Sequence, residues 1–219
     1  AMRGHHVEVW EKDKDIGGTV RVAALAYEPN GHLINYLKNS LDALGVKIKL
    51  RTMATAESVQ AFNPDHVIVA VGANRNAPTI KGKNSRNVFD GEQLRGLLFG
   101  SDIHAIKKLS FFQQLILKIG RTSQLLRNIS ALRFLSKIWM PLSKNILVIG
   151  GDLVGLELAE FLVERGRTVR VLEPTGSLGP NLSIVRRSRI VHMLKEHGVD
   201  LLTNVEIKEI CDQEVIFDH

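Results

Sequence analysis

The chain has 219 residues, of which 44% are hydrophobic and 24% are charged, a balance typical of soluble globular domains. No run approaches the roughly 18 apolar residues that span a bilayer, and the first residues, AMRGHHVEVW, lack a signal-peptide pattern. We therefore expect a cytoplasmic protein with no membrane partner. The single cysteine, Cys211, excludes an internal disulfide and a CxxC redox pair within this chain.

The first predicted unit begins at RGHHVEVWE, residues Arg3 to Glu11. A glycine at a helix end is followed by a short alternating strand that stops at a carboxylate. A glycine-bearing loop, KDKDIGGT, comes next. This order predicts that the strand-end acid and the loop approach a nucleotide cofactor. The candidate residues are Glu11, Lys12, Gly17 and Gly18.

Two further elements of this unit follow along the chain. LKNSLDALGVKIKL reads as a helix that ends at Gly45 and enters a strand. Further on, Asp65 to Pro78 (DHVIVAVGANRNAP) reads as an apolar strand. This strand closes on Val71, Gly72 and Ala73, which we include among the candidate cofactor contacts.

The segment from Gly100 to Met140 carries the whole positive excess of the chain, whose formal net charge is +6. Apolar residues recur there at helical spacings, which predicts amphipathic helices packed against another surface with a basic, solvated face. An anionic small-molecule partner is an alternative, and so are a membrane or a nucleic acid. No nucleic-acid-binding module accompanies the charge, so we expect no nucleic-acid partner. Its one acid is Asp102, and its seven bases are Lys107, Lys108, Lys118, Arg121, Arg127, Arg133 and Lys137.

The stretch from Asn145 to Glu173 has the order of a mononucleotide-binding βαβ unit. Gly150 permits a tight turn out of the strand, and Gly155 lets the helix lie close to the sheet. Backbone N–H groups at the helix start would face a pyrophosphate with the positive end of the helix dipole. The candidate contacts at this turn are Gly150, Gly151, Asp152, Leu153, Val154 and Gly155.

Glu173 follows Gly150 by 23 residues, near the spacing of about 20 at which a carboxylate accepts the ribose 2′-hydroxyl. A 2′-phosphate would be repelled there, which predicts a preference for NADH over NADPH. Glu157, one helical turn past the glycines, is a further candidate at the cofactor interface. The eight histidines show no metal-ligand spacing, so we expect no metal site, and no catalytic set can be assembled.

Asp152 stands where a glycine would let the backbone approach a phosphate. A carboxylate about 4 Å from a phosphate charge costs ~1 kcal/mol at the dielectric constant of water and ~4 kcal/mol at an intermediate value. Alternatively, the side chain turns outward or caps the helix and does no harm. The turn then either binds a dinucleotide or is kept for structure.

The two units share the frame R-G-x-x-V-x-V-x-E, at Arg3 to Glu11 and at Arg165 to Glu173, with a constant offset of 162 residues. This repeat predicts one fold used twice. The first copy begins almost at its R-G and has no glycine turn of its own, and the second ends before the strand equivalent to 65–78. We therefore interpret both domains as incomplete parts of a longer polypeptide.

The nested pair of nucleotide-binding units resembles the FAD/NAD(P) architecture of the glutathione-reductase superfamily. More narrowly, NVFDGEQL, KIWMPLSKNILVIGG and LVGLELAEFLVERGR are similar to the C-terminal half of the trimethylamine dehydrogenase and 2,4-dienoyl-CoA reductase branch of Old Yellow Enzyme-like flavoproteins. The resemblance implies a flavin-dependent NAD(P)H oxidoreductase acting on a small molecule. It also implies FAD and NAD(H) or NADP(H), with an FMN-bearing barrel and an iron–sulfur cluster N-terminal to this region.

Taken together, these features predict an α/β protein with two truncated Rossmann-like domains and a helical insert. We expect an incomplete FAD-binding domain at 1–99, a basic helical linker at 100–143 and an incomplete NAD(P)-binding domain at 144–219. The function expected is hydride transfer from NADH to FAD, with self-association of the chain or of the intact protein. The alternative is a non-catalytic ADP-binding or structural assembly module.

Overall fold

The computed structural model describes residues 1–73, 78–99, 102–122 and 128–219. It divides into two compact units, Ala1–Asn74 and Arg75–His219. Both are of the α/β class with parallel strands, as predicted. Within the described ranges, no helix has the length and apolar character required to cross a bilayer.

The first unit contains a two-stranded parallel sheet, in which Val9 lies opposite Ile48. Trp10 packs edge-on against Phe62, with ring centroids 5.4 Å apart, which holds the last helix of the unit against the first strand. In chain order its elements are β1 (Glu8–Glu11), α1 (Gly18–Ala26), α2 (Pro29–Ala43), β2 (Lys47–Leu50) and α3 (Ala56–Phe62).

The predicted strand at 65–78 is wrong for the residues that the structure describes. No strand forms between Asp65 and Ala73, and the apolar side chains there are exposed, with Ile68 at 91% and Val71 at 81%. The backbone of a strand needs a neighbouring strand for its hydrogen bonds, and neither β1 nor β2 pairs with this segment. The remaining predicted part, 74–77, lies outside the described residues.

The second unit is built on a parallel sheet of three strands, β3 (Asn145–Ile149), β4 (Thr168–Leu172) and β5 (Asp200–Leu202), which lie in that order. Val148 of β3 lies opposite Val171 of β4, and Leu172 of β4 lies opposite Leu202 of β5. A separate antiparallel pair joins β6 (Glu206–Ile210) to β7 (Val215–Asp218).

Helices pack against this sheet, and further helices form the part of the second unit that precedes β3 in the chain. Leu156 and Leu162 of α8 are fully buried with Val171 and Leu172 of the central strand, which places the core between α8 and the sheet. The helices are α4 (Gly91–Leu98), α5 (Ile103–Lys107), α6 (Phe111–Thr122), α7 (Ile129–Ile138), α8 (Leu153–Val163) and α9 (Ile184–Glu196).

The helices that precede β3 in the second unit form a small core of their own, which consists of Leu97, Ala105, Leu109 and Leu117. Because these residues join α4 to α5 and α6, the compact-unit boundary lies at residue 74, whereas the predicted domain boundary is at 99. The division into 1–99, 100–143 and 144–219 stays a prediction. Gly100 and Arg127 of the basic segment lie outside the described residues.

The internal repeat is visible in the strand pairing. β1 pairs with β2 in parallel through Val9 and Ile48, and β4 pairs with β5 in parallel through Val171 and Leu201. In the second unit β3 adds a further parallel neighbour, so β4 is a central strand. Among the described residues, β1 pairs only with β2. The two strands therefore share their pairing but not a central position.

Candidate functional site

The turn between β3 and α8 has the geometry expected of a nucleotide-binding turn. Gly150 adopts φ +105°, a conformation that side chains other than glycine rarely adopt, and its N–H donates to the Leu172 carbonyl at 2.8 Å. A Cβ on Gly155 would lie 1.8 Å from the Gly150 carbonyl oxygen, so only glycine allows α8 to approach the strand so closely. Both positions therefore require glycine for the backbone alone.

Glu173 directly follows β4 and turns its carboxylate towards this glycine turn. The side chain is buried, and its Oε2 accepts the Gly151 N–H at 2.6 Å. Its Oε1 accepts both the backbone N–H of Thr175 at 2.8 Å and the Thr175 hydroxyl at 2.7 Å. The acid predicted from spacing thus lies beside the predicted turn, held by three donors from the protein.

Two opposing effects act on the pKa of Glu173. Burial raises it, but the hydrogen bonds from Thr175 and Gly151 outweigh burial and hold the pKa below its ordinary value of 4.5. The nearby Asp152 charge opposes this lowering. Glu173 is therefore ionised at neutral pH, which suits a carboxylate that accepts hydroxyl hydrogen bonds and repels a phosphate.

Asp152 occupies the N-cap position of α8 but makes no side-chain cap hydrogen bond, so the capping interpretation does not describe it. Its Oδ2 accepts the Asn181 side-chain amide at 2.8 Å, and this bond is the main reason that the pKa of Asp152 is lowered. Its Oδ1 is shielded from solvent and lacks a hydrogen-bond partner among the described residues. A negative charge therefore lies at the N-terminus of α8.

The next residues of α8 differ in what they offer a ligand. Leu153 and Val154 are exposed at 37% and 57%, so the N-terminal turn of the helix is open to solvent. Glu157 instead forms a close ion pair with Arg186 of α9. This carboxylate is engaged in joining the two helices.

A shallow cavity of ≈ 380 Å³ lies beside the ends of β4 and β5. Leu178, Arg187 and Thr203 contribute to its lining, whereas the glycines of the turn do not. The loop that forms its wall is joined to the turn, because the Gly179 N–H donates to the Gly151 carbonyl at 2.8 Å. The cavity therefore adjoins the turn at the carboxyl edge of the sheet, where ligands of such folds bind.

The first unit offers a less complete set of contacts. Glu11 follows the pattern of Glu173 in part, since its Oε1 accepts the Asp13 N–H at 2.9 Å. Gly17 and Gly18 both have positive φ, at 110° and 45°. Lys12 is exposed, and so are the predicted contacts Val71, Gly72 and Ala73.

Whether these units fit their expected cofactors depends on the pyrophosphate turn. The second unit has such a turn. Gly155 lets α8 approach the strand closely, and the N-terminus of this helix is open, although the Asp152 carboxylate adds a negative charge there. In the first unit, no strand, glycine turn and helix precede β1 within the described residues. Glu11 at the end of β1 occupies the position that Glu173 has after β4, and the described residues before β1 supply no turn for a phosphate.

Sequence reasoning missed three polar partners at the second site, namely Thr175, Asn181 and Arg186. Thr175 stands two residues after Glu173, a spacing at which a side-chain oxygen commonly accepts a following N–H. The contact with Thr175 could therefore have been predicted from the sequence. Asn181 and Arg186 each lie 29 residues from the acid they contact. Nothing in the local sequence indicates those pairs.

The chain is similar to several known oxidoreductases. The bilirubin reductase of Mediterraneibacter gnavus is 28% identical over 98% of this chain, and the NADH oxidase of Thermoanaerobacter brockii is 26% identical over 98%. The structure of a 2-naphthoyl-CoA reductase in complex with 2-naphthoyl-CoA superposes with a TM-score of 0.72 at 25% identity. The match covers 99% of this chain and 27% of that chain.

The chain spans 28% of the length of both curated relatives. A family model described as pyridine nucleotide-disulphide oxidoreductase matches residues 32–218, which is most of the chain. That match takes in the glycine turn, the buried acid at the end of β4 and the second strand of the first unit. The chain is therefore a member of the pyridine nucleotide-disulphide oxidoreductase family.

Proposed function

We propose that the chain is the nucleotide-binding part of a flavin-dependent NAD(P)H oxidoreductase. Within the family we assign it to the trimethylamine dehydrogenase and 2,4-dienoyl-CoA reductase branch of Old Yellow Enzyme-like flavoproteins. The observation that carries the proposal is the junction of the Gly150 turn with the ionised, buried Glu173. Relatives named as reductases and as an NADH oxidase, which match along nearly the whole chain, support it.

In this proposal the second unit binds NADH. The N–H groups of Leu153 and Val154 donate to the pyrophosphate at the positive end of α8. Glu173 keeps one lone pair, on Oε2, beyond the three bonds that it accepts, and this lone pair would accept a ribose hydroxyl. The bound nicotinamide supplies the hydride.

Selectivity follows from the charge of Glu173. A ribose 2′-phosphate placed against this carboxylate would bring two like charges together in a partly desolvated place, which costs several-fold or more in affinity. The chain should therefore bind NADH more tightly than NADPH. Arg187 in the adjoining cavity is the nearby cation that would soften this preference.

The first unit would hold the flavin side of the reaction. Glu11, Gly17 and Gly18 form the ribose side of an FAD site, with Lys12 and the Val71–Ala73 segment beside it. We propose that the remaining parts, an FMN-bearing barrel and an iron–sulfur cluster, belong to the rest of the intact enzyme. Electrons would pass from FAD to that barrel, where a small-molecule substrate is reduced.

Titration calorimetry of the full 219-residue chain with NADH and with NADPH tests the nucleotide site. We expect NADH to bind more tightly, and Glu173→Arg to lower or reverse the preference. Glu206→Arg, the same charge change on β6, is the matched control and should leave the ratio unchanged. An unaltered ratio in Glu173→Arg would remove the ribose role of this residue.

The oxidoreductase activity itself needs a second measurement. Anaerobic addition of NADH to the flavin-loaded intact protein should bleach the flavin absorbance as the flavin is reduced. Persistent flavin colour together with tight NADH binding would keep the nucleotide site and reject the electron-transfer role.

A non-catalytic module remains the second candidate, and two observations favour it. Asp152 brings a negative charge to the helix N-terminus, and the Gly151 N–H is already bonded to Glu173. Such a module would bind ADP or no nucleotide and would serve assembly. Calorimetry in which ADP binds as well as NADH, or neither binds, selects this candidate.

A further inference from the structure

Asp152 stands at the N-cap of α8 without capping the helix. Its backbone is extended, at φ −85° and ψ −171°, as is usual for a capping residue. From this position an aspartate ordinarily accepts the N–H of the second or third helical residue, here Val154 or Gly155. The Asp152 side chain makes no cap bond to either of them. One of the strongest capping side chains therefore leaves these two donors of its own helix uncapped.

The Asp152 carboxylate is instead engaged by the loop between β4 and α9. Its Oδ2 accepts the side-chain amide of Asn181 at 2.8 Å. This bond is the main cause that lowers the pKa of Asp152, and the backbone N–H groups of Leu153 and Asn181 lower it less. Because two of these three donors belong to Asn181, the carboxylate is directed mainly towards the loop.

This loop is itself fixed to the glycine turn. The Gly179 N–H donates to the Gly151 carbonyl at 2.8 Å. Leu178 is buried against the same turn, since a Cβ on Gly151 would lie 2.5 Å from the Leu178 Cδ2. Asn181 therefore reaches Asp152 from a segment whose position relative to the turn is set by backbone and side-chain contacts.

The carboxylate has two places to go, and they exclude each other. Bonded to Asn181, it lies on the loop side of the helix start. Without that amide, rotation about its first side-chain torsion would bring it over the first turn, where Val154 is exposed at 57% and does not obstruct it. It would then accept the Val154 or Gly155 N–H, and a donor that is bonded to a carboxylate cannot also serve a phosphate.

We propose that Asn181 is a positioning residue for the nucleotide, because it holds the Asp152 carboxylate on the loop side of α8 and so keeps the Val154 and Gly155 N–H groups available to a phosphate. This explains how a turn with an aspartate in place of a glycine accepts a dinucleotide. The inference rests on the nucleotide binding proposed above. The orientation of Asp152, however, is measurable without a nucleotide.

Calorimetry with NADH, carried out on the full chain in two backgrounds, tests the positioning role. Asn181→Ala should weaken NADH binding roughly fivefold, since the released carboxylate then competes for the helix donors. In the Asp152→Gly background the same change should have no effect, because no carboxylate remains to be positioned. An equal loss in both backgrounds would overturn the proposal, since Asn181 would then act on the nucleotide or the loop directly.

Ser183→Ala is the matched control. Ser183 lies two residues further along the same loop, is exposed, and makes no side-chain cap bond to α9. Its replacement removes a polar side chain from the loop without touching Asp152, so NADH binding should be unchanged. A loss equal to that in Asn181→Ala would mean that any change in this loop weakens binding, which would contradict a specific role for Asn181.

NMR of the backbone amides without nucleotide gives the second readout. In Asn181→Ala, the amide proton of Val154 or Gly155 should move to lower field and exchange more slowly with solvent, because it gains a bond to a carboxylate. Asp152→Gly should give the same amide positions with and without Asn181→Ala. Amides that do not move, together with tight NADH binding by the wild type, would overturn this inference alone. Amides that move as expected in a chain that does not bind NADH would overturn the proposed function and keep the orientation of Asp152 by Asn181.

Discussion

The Asp152 carboxylate is the charge that most directly opposes nucleotide binding at the glycine turn. It lies at the N-terminus of α8, and its bond to Asn181 keeps it ionised. We expect Asp152→Gly to tighten NADH binding about fivefold or more, since one like charge some 4 Å from a phosphate costs ~1 kcal/mol even in water. Titration calorimetry measures the change.

Asp152→Asn is the control that separates charge from bulk. The amide keeps the size of the side chain, so it should recover most of the gain if repulsion is the cause. A gain in Asp152→Gly alone would mean that the side chain blocks the ligand sterically. No gain in either variant would mean that Asp152 does not face the phosphates.

Glu173 should make the stability of the protein depend on pH. Its pKa in the folded protein is below the ordinary 4.5, so it stabilises the fold fully above about pH 4.5. That contribution is lost as the pH falls through the folded pKa. Glu173→Gln should therefore cost ~1–3 kcal/mol at neutral pH, where it loses charged hydrogen bonds from Gly151 and Thr175, and less in acid.

Urea unfolding of the wild type and of Glu173→Gln at neutral pH and below pH 4.5 measures this difference. Only the change in the gap between the two proteins matters, because other carboxylates titrate equally in both. A gap that stays constant or widens in acid would contradict the depressed pKa.

For single residues, the sequence predicted where a side chain lies in the fold better than it predicted which groups that side chain contacts. The spacing after Gly150 placed Glu173 at the strand end beside the turn, because a βαβ unit fixes that distance along the chain. It did not show that Thr175 and Gly151 hold the carboxylate inward. Nor did it show that Asp152 bonds to Asn181, a contact that depends on the path of a loop 29 residues away.

Among the elements, the contact between α8 and the turn after β3 requires a glycine at position 155. A methyl group on Gly155 would lie 1.8 Å from the backbone oxygen of Gly150, and backbone cannot move aside as a side chain does. We expect Gly155→Ala to cost ~3 kcal/mol or more of unfolding free energy and to abolish nucleotide binding. Urea unfolding and calorimetry give the two readouts.

Gly91→Ala provides the comparison for Gly155→Ala. Gly91 begins α4, has no positive φ, and an added Cβ there would meet nothing within 4 Å. This variant should be neutral or slightly stabilising, since alanine favours the helix. Similar losses in both variants would mean that the close approach at Gly155 is not what limits this turn.

Arg165 links α8 to α7 from a buried position. Its Nε donates to the Ser136 hydroxyl at 2.9 Å, and one terminal nitrogen donates to the Phe161 carbonyl at 2.7 Å. We expect Arg165→Met to cost ~2–4 kcal/mol, because these acceptors lose a charged donor. Arg170→Met breaks a half-exposed pair with Asp200 and should cost less than ~1 kcal/mol.

Thermal or urea unfolding of the two arginine variants under one set of conditions compares the unfolding free energy that each variant loses. Equal effects would show that burial of Arg165 adds nothing to its hydrogen bonds. A stabilising Arg165→Met would show that the cost of desolvating the guanidinium exceeds what its contacts return.

The elements predicted correctly are those with local signals. The repeat at offset 162 identified β1 and β4, and the glycine turn identified β3 and α8, because periodicity and glycine positions act within a few residues. The strand predicted at 65–78 is wrong over its described part, 65–73, because a strand also requires a partner that its own sequence does not reveal. The antiparallel pair of β6 and β7 was not predicted at all.

At the scale of the molecule, the stretch from Val67 to Val71, near the end of the first compact unit, is accessible. Four of its side chains, those of Val67, Ile68, Val69 and Val71, are more than half exposed. This stretch takes part in none of the backbone hydrogen bonds that join the described loops and turns. Cleavage by a protease requires such local freedom. Thermolysin, which cuts before large apolar residues, should therefore act first before Ile68 or Val69 and release a fragment that contains the second compact unit.

Mass spectrometry of the first products, taken at low protease and short times, identifies the cut. Ile184 and Val185 are as exposed as Val69 and Val71, but they lie in the first turn of α9, where the helix holds the backbone. They provide an internal comparison, because exposure alone would make both places equally sensitive. First cleavage at Ile184 would show that side-chain exposure, and not unpaired backbone, governs attack. First cleavage at 67–71 would show that the chain is cut where the strand predicted at 65–78 finds no partner.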